Sequence, residues 1–142
     1  HNRLSYSKLF DETMVAAFPK DHELATKDEV TLEDLLSYPY VDRLHCEFRQ
    51  ATYDLAEERE TEMNVVFRSE KEDWVQSLVF DGAGVSVIPR YSLLGTGLDF
   101  RPLIDPKPVR SVELAIVDDR EVSPALAHLI AASEDYDWPK MN

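Results

Sequence analysis

The chain has 142 residues, 44% of them apolar, which suffices for one ordinary domain or two small subdomains and argues against global disorder. Its formal net charge of −13 repels phosphate, and no basic stripe offsets it, so these residues by themselves are not a nucleic-acid surface. No apolar run approaches the ~20 residues that span a bilayer, the start HNRLSYSKLF lacks a secretory apolar core, and the one cysteine, Cys46, cannot form an intrachain disulfide, which fits a reducing compartment.

In chain order, Phe10 to Phe18 ends in an apolar run that predicts a buried strand, closed by Pro19. KDHELATKDEV reads as a polar loop. Thr31 and Asp34 have capping-box spacing and open a short helix, TLEDLLSY. A strand is expected at Tyr40 to Leu44. CEFRQATYDLAEERE follows as a helix with Phe48, Ala51, Leu55 and Ala56 on its apolar face, and then a strand from Met63 to Phe67. Ser69 and Glu72 repeat the capping-box spacing ahead of a helix whose apolar face is Trp74, Val75, Leu78 and Val79. Gly82 and Gly84 are placed to stop it, a strand follows at Val85 to Ile88, and Pro89 ends that strand.

Beyond Pro89 the pattern loosens. A turn of helix is expected at Tyr91 to Leu94, connecting chain through GTGLDFRPLIDPKP with a short strand at Leu98 to Leu103, and an alternating strand at Val109 to Val117. Ser123-Pro124 supplies an N-cap with proline at the first helical position. The helix after it has an apolar face of Leu126, Leu129 and Ile130, and the tail EDYDWPKMN reads as frayed. Strands alternating with helices predict an α/β sheet with helices on its faces. One strand and one helix after residue 108 cannot close a core, so their apolar faces are expected to be left exposed.

Five segments, in order, resemble the C-terminal part of the effector-binding domain of LysR-type transcriptional regulators. Asp11 to Ala25 resembles a strand and its His-Pro-Leu-Ala-like loop, with Glu23 at the proline. Thr31 to Tyr40 keeps Leu32, Asp34, Leu35 and Pro39 of an L-x-D-L-x-x-x-P segment. Val79 to Pro89 resembles V-x-x-G-x-G-V-x-x-x-P, with Asp81 where alanine is usual. Leu98 to Leu114 resembles the family's R-P-L return, and Ser123-Pro124-Ala125 the start of its last helix.

The resemblance covers roughly residues 9–133 and implies a fold like the type II periplasmic binding proteins: three-layer α/β lobes with a ligand in the cleft between two of them. It implies an incoming crossover at 1–9, a second lobe at 10–92, and a return crossover with part of the first lobe at 93–142. The rest of that lobe and the winged helix-turn-helix lie outside these residues. It further implies a cytoplasmic, self-associating regulator, a dimer or tetramer, that meets DNA only through that missing domain and meets no membrane.

The segment from Arg43 to Arg49 links a strand to a helix N-terminus, where exposed amides attract anions, and the resemblance implies that this loop contacts effector. Arg43, His45, Cys46, Glu47, Phe48 and Arg49 are therefore expected to bind a small anionic molecule, with Ser69 and Trp74 at the next helix start, although Ser69 reads more simply as a cap and Trp74 as core. His45-Cys46 is similar to the reactive-cysteine loop of the family's peroxide sensors, and the helix start with Arg43 and Arg49 would favour thiolate. No second cysteine follows, and a pocket-lining thiol is the favoured reading. Gly82-Ala83-Gly84 follows a helix and precedes a strand, the reverse of a dinucleotide loop. No metal spacing, cofactor motif or catalytic set is present, so no catalysis is expected. A fragment of a periplasmic solute-binding protein is the second reading, and a cysteine redox sensor the third.

Overall fold

The computed structural model describes residues 3–118 and 121–139. The chain divides into two compact units, Thr13–Pro108 and the pair of segments His1–Glu12 and Val109–Asn142.

In the larger unit, strand β1 (Leu4–Phe18) contributes its C-terminal half to the centre of a sheet. It pairs antiparallel with β5 (Ser86–Pro89), Ala16 opposite Val87, and with β6 (Asp99–Ile104), Ala16 opposite Arg101. A two-residue strand the sequence reading missed, β2 (Val30–Thr31), lies parallel to β6. Strands β3 (Tyr40–Arg43) and β4 (Val65–Ser69) run parallel to each other. Val41 N–H donates to the Val85 carbonyl at 2.9 Å, and Val85 N–H to that of Pro39 at 2.8 Å, which stitches β3 to the start of β5.

Period-two alternation divides the core into two layers. Met14, Ala16, Phe18 and Val87 join Leu32, Leu35 and Leu36 of helix α1 (Leu32–Leu36) and Ala56 of α2 (Arg49–Glu58). Val15, Ala17, Val41 and Ile88 join Val75 and Val79 of α3 (Glu72–Phe80). Helices on both faces of one sheet make the three-layer α/β arrangement expected.

Local signals decide most boundaries. The Thr31–Asp34 capping box forms in both directions, and Gly82 ends α3 at φ +81°. Gly84 has a different job from the one the sequence suggested. It ends no helix. A Cβ built there would lie 2.2 Å from the Pro39 carbonyl oxygen, so its bare backbone lets β5 approach β3. The expected capping box at Ser69 does not form: α3 is preceded by Lys71, whose N–H donates to Ser69 Oγ at 3.0 Å, and Ser69 itself ends β4. Trp74 is 53% exposed rather than core. The turn Arg90–Leu93 is a 3-10 helix. Arg101 ties β6 to the loop after β1, donating to the carbonyls of Ala25 at 2.6 Å and Lys27 at 2.7 Å.

The polar loop after β1 contains a 3-10 turn, Glu23–Thr26, capped by His22, whose Nδ1 accepts from Leu24 N–H at 3.2 Å. The ring packs against Phe18 and Tyr38, at centroid separations of 5.5 and 4.5 Å. Burial pushes the His22 pKa down, opposed in part by Glu23. The folded pKa is thus below the unfolded one, so the stability His22 contributes is present above about pH 6.5 and is lost as pH falls through the folded value. We expect the melting temperature to fall between about pH 7 and about pH 5, and His22→Asn, which retains a cap, to flatten that slope in calorimetry.

In the smaller unit, the N-terminal part of β1 pairs with β7 (Val109–Val117). Asp118 N–H donates to the Arg3 carbonyl at 2.8 Å, and Arg110 holds the buried Glu12 at 2.7 Å. Helix α4 (Pro124–Asp135) starts at the expected Ser123 cap. As expected, β7 and α4 bury no residue completely; Leu126 and Leu129 are exposed and border a groove of about 320 Å³ with Leu114, Ile116 and Ile130. The tail departs from expectation. Trp138 stacks on Phe10 at 5.3 Å, and its Nε1–H donates to the Ser133 carbonyl, so the chain is anchored that far. Lys140 to Asn142 lie outside the described residues.

Candidate effector-binding site

Strands β3 and β4 end side by side, and α2 and α3 begin just beyond them. The crevice past the carboxyl ends of parallel strands is where α/β sheets place ligands. Neither helix start carries a side-chain cap, whereas α1 and α4 are both capped. The first turns of α2 and α3 therefore leave their N-terminal donors to other partners.

The structure sends the two arginines of the predicted segment to opposite faces. Consecutive strand residues point to opposite sides. Arg43 projects toward α3, where Nε meets Glu72 Oε2 at 3.0 Å and Nη2 lies 3.9 Å from Glu47 Oε2. Asp42 projects toward α2. Its buried carboxylate accepts from Arg49 Nε at 2.9 Å and Nη2 at 2.7 Å and from the Tyr53 hydroxyl at 2.7 Å, with Arg68 at 3.4 Å. Arg49 is thus engaged in a bidentate pair that ties β3 to α2, and its pKa is raised chiefly by the hydrogen bond to Asp42.

Arg43 is different. Its side chain is only 7% exposed, and Nη1 is buried with no hydrogen-bond partner. Leaving a buried donor unsatisfied costs about 1–3 kcal/mol, more for a charged group. Such an exception in an otherwise paired interior calls for an explanation.

The remaining predicted residues divide between this face and the α2 side. His45 Nε2 lies 3.8 Å from Glu70, both exposed, so the loop after β3 faces the one after β4. Ser69 is buried at the end of β4 with its hydroxyl turned onto Lys71. Phe48 and Cys46 pack against the α1/α2 core layer. Trp74 stands on the exposed surface of α3 with the Lys71 ammonium 5.0 Å from its ring centroid.

Cys46 contradicts the thiolate expectation. Burial raises its pKa, and this outweighs the lowering from the Phe48 backbone amide and Arg43. The guanidinium of Arg49 is committed to Asp42. A protonated, half-buried thiol is a poor peroxide nucleophile, so the redox reading is not favoured.

Two participants lie outside the residues expected at the site. Glu72, expected as the far half of a capping box with Ser69, is instead the tight partner of Arg43. Asp42 falls inside the expected strand with no role of its own. A charge inside a short strand between apolar neighbours was the available signal, since such a group survives burial only when paired. Among the described residues, no group of three or more His, Cys, Asp or Glu is placed to hold a metal ion, and no helix is long and apolar enough to cross a membrane.

The family model of the LysR substrate binding domain matches residues 1–137. The chain is 25% identical over 89 residues to the HTH-type transcriptional regulator YybE of Bacillus subtilis, itself uncharacterized, covering 62% of this chain and 30% of that one. The effector binding domain of QuiR in complex with shikimate is similar at a TM-score of 0.72 and 22% identity, over 92% of this chain and 64% of that one. The regulatory domain of CcmR from Synechocystis in complex with 2-PG gives a TM-score of 0.75 at 19% identity, over 92% of this chain and 65% of that one. This chain thus spans just under two thirds of those two solved domains and under a third of the curated relative. The structural likeness establishes the type II periplasmic-binding-protein-like fold. With the family model matching 137 of its 142 residues, the chain belongs to the LysR substrate binding domain family.

Proposed function

We propose that this chain is the sensing part of a bacterial, cytoplasmic LysR-type regulator and that Arg43 anchors an anionic group of its small-molecule effector, bound between two lobes. The observation that carries this reading is the buried guanidinium whose Nη1 has no partner. A ligand oxygen placed there recovers a hydrogen bond to a charged donor, one of the stronger kinds. The uncapped start of α3, which carries Glu72, supplies amide donors on the same side. His45, Cys46, Glu47, Phe48 and Ser69 complete the proposed surround, with Arg49 holding the loop through Asp42 and Trp74 at its margin. QuiR and CcmR, in complex with shikimate and 2-PG, fit the same reading.

Effector would act by binding one lobe arrangement better than another, since only differential affinity shifts an equilibrium. DNA contact would come from a winged helix-turn-helix outside these residues, and the regulator would work as a dimer or tetramer. The sheet-edge strand β4, with Val66 and Phe67 exposed, offers a surface for such pairing. The reading includes no catalysis.

Calorimetric titration with a panel of small carboxylates, shikimate and amino acids among them, tests the anchor. At least one should bind, and Arg43→Ala should weaken it by about tenfold or more. A panel that binds nowhere, or that binds the variant equally well, removes the assignment.

A further inference from the structure

Charge around Arg43 narrows the ligand further. Two carboxylates already face the one guanidinium: Glu72 on Nε at 3.0 Å and Glu47 beside Nη2 at 3.9 Å. A third, Glu70, reaches the same loop through His45 at 3.8 Å. Arg43, Glu47 and Glu72 together carry one positive and two negative charges, a net of −1, before any ligand arrives. Acidic side chains alone would signify nothing here. What marks the place is the buried Nη1, which has no protein acceptor and keeps hydrogen-bonding capacity for one.

We propose that the effector is an amino-acid-like zwitterion, its carboxylate on Arg43 Nη1 and its ammonium against Glu47 and Glu70. This rests on the Arg43 anchor described above. A simple carboxylate brought to Nη1 meets the opposing guanidinium but also two like charges, and in a partly desolvated site those are weakly screened. A ligand with a second negative charge fares worse. An ammonium a few ångströms from the ligand carboxylate turns the same acidic side chains from repulsive into attractive, so Glu47 and Glu70 become specificity-determining residues. Both stand at the surface, Glu47 at 57% and Glu70 at 70% exposure, where a ligand ammonium can meet their carboxylates, while the more enclosed Glu72 orients Arg43. Selection by a like-charge penalty against the wrong ligand is a common route to specificity.

Matched pairs that differ only in the amine provide the test: alanine with lactate, phenylalanine with phenyllactate, leucine with 2-hydroxyisocaproate, aspartate with malate. Each is titrated into the isotopically labelled 142-residue chain, following the Arg43 Nε–H signal and the backbone amides of Cys46 to Arg49 by NMR. The expected result is that at least one amino acid shifts these signals and binds roughly tenfold tighter than its hydroxy acid, with Glu47→Gln shrinking that preference to about threefold or less. Glu70→Gln, at an exposed position away from the core, is a second variant expected to move the ratio the same way. Hydroxy acids binding as tightly as amino acids, with binding lost in Arg43→Lys, would keep the anion anchor and overturn the zwitterion. A preference unchanged in both glutamine variants would also overturn it. Silence of every pair at these signals would overturn the zwitterion and the anchor together.

Discussion

Gly84→Ala is expected to cost about 3 kcal/mol or more and to lower the melting temperature by about 10 °C. The new Cβ would sit 2.2 Å from the Pro39 carbonyl oxygen and 2.8 Å from its carbon. Both are backbone atoms, and that carbonyl already accepts the Val85 N–H at 2.8 Å, so neither strand can withdraw without breaking the stitch between β3 and β5. The control lies two residues away. Gly82 has φ +81° and nothing within 4 Å of a built Cβ, so Gly82→Ala meets only the left-handed backbone penalty, about 1 kcal/mol. Calorimetry on both variants separates a steric collision from a conformational preference. Equal shifts would mean that β5 does not approach β3 as described.

Asp42→Ala should be comparably damaging, about 3–5 kcal/mol, because it leaves a partly enclosed guanidinium and a tyrosine hydroxyl without their acceptor. Asp42 is 1% exposed and its three closest bonds, two from Arg49 and one from Tyr53, all run to α2. Arg68 reaches the same carboxylate at 3.4 Å from an exposed position, so Arg68→Ala should change stability by less than about 1 kcal/mol. Chemical denaturation of the two variants gives the comparison. If Asp42→Ala proves as mild as Arg68→Ala, the network does not hold α2 to the sheet. The same experiment bears on the site, since α2 is reached from β3 through the loop that contains His45, Cys46 and Glu47.

These cases show what the sequence could and could not convey. The bounds of β7 and the start of α4 were readable to the residue, because strict alternation and a Ser-Pro start are local signals that no tertiary contact overrides. The capping box at Thr31 was equally local. At Ser69 the same spacing misled, because a hydroxyl two residues ahead of a helix entry can accept a turn amide as readily as a capped one. Gly84 reads like a helix stop until its neighbour across the sheet, 45 residues earlier, is known. Arg43 and Arg49 looked like partners because they are close in sequence. The pleat of β3 separates Arg43 from Asp42, and Asp42 then draws Arg49 onto the α2 side. The pairing of Arg43 with Glu72, the feature that most shapes the candidate site, joins two elements through space and has no trace in the spacing of either.

Each compact unit contains one of the two tryptophans, in contrasting surroundings. Trp74 is largely in water beside a lysine, while Trp138 is stacked on Phe10 with its indole N–H bonded. Intrinsic fluorescence therefore provides a separate reporter for each unit. In Trp74→Phe the remaining emission follows the unit of β7 and α4 alone, and in Trp138→Phe it follows the unit that contains Arg43. Superimposable denaturation curves from the two single-tryptophan proteins would mean that the units melt as one cooperative body; displaced curves would assign each its own midpoint.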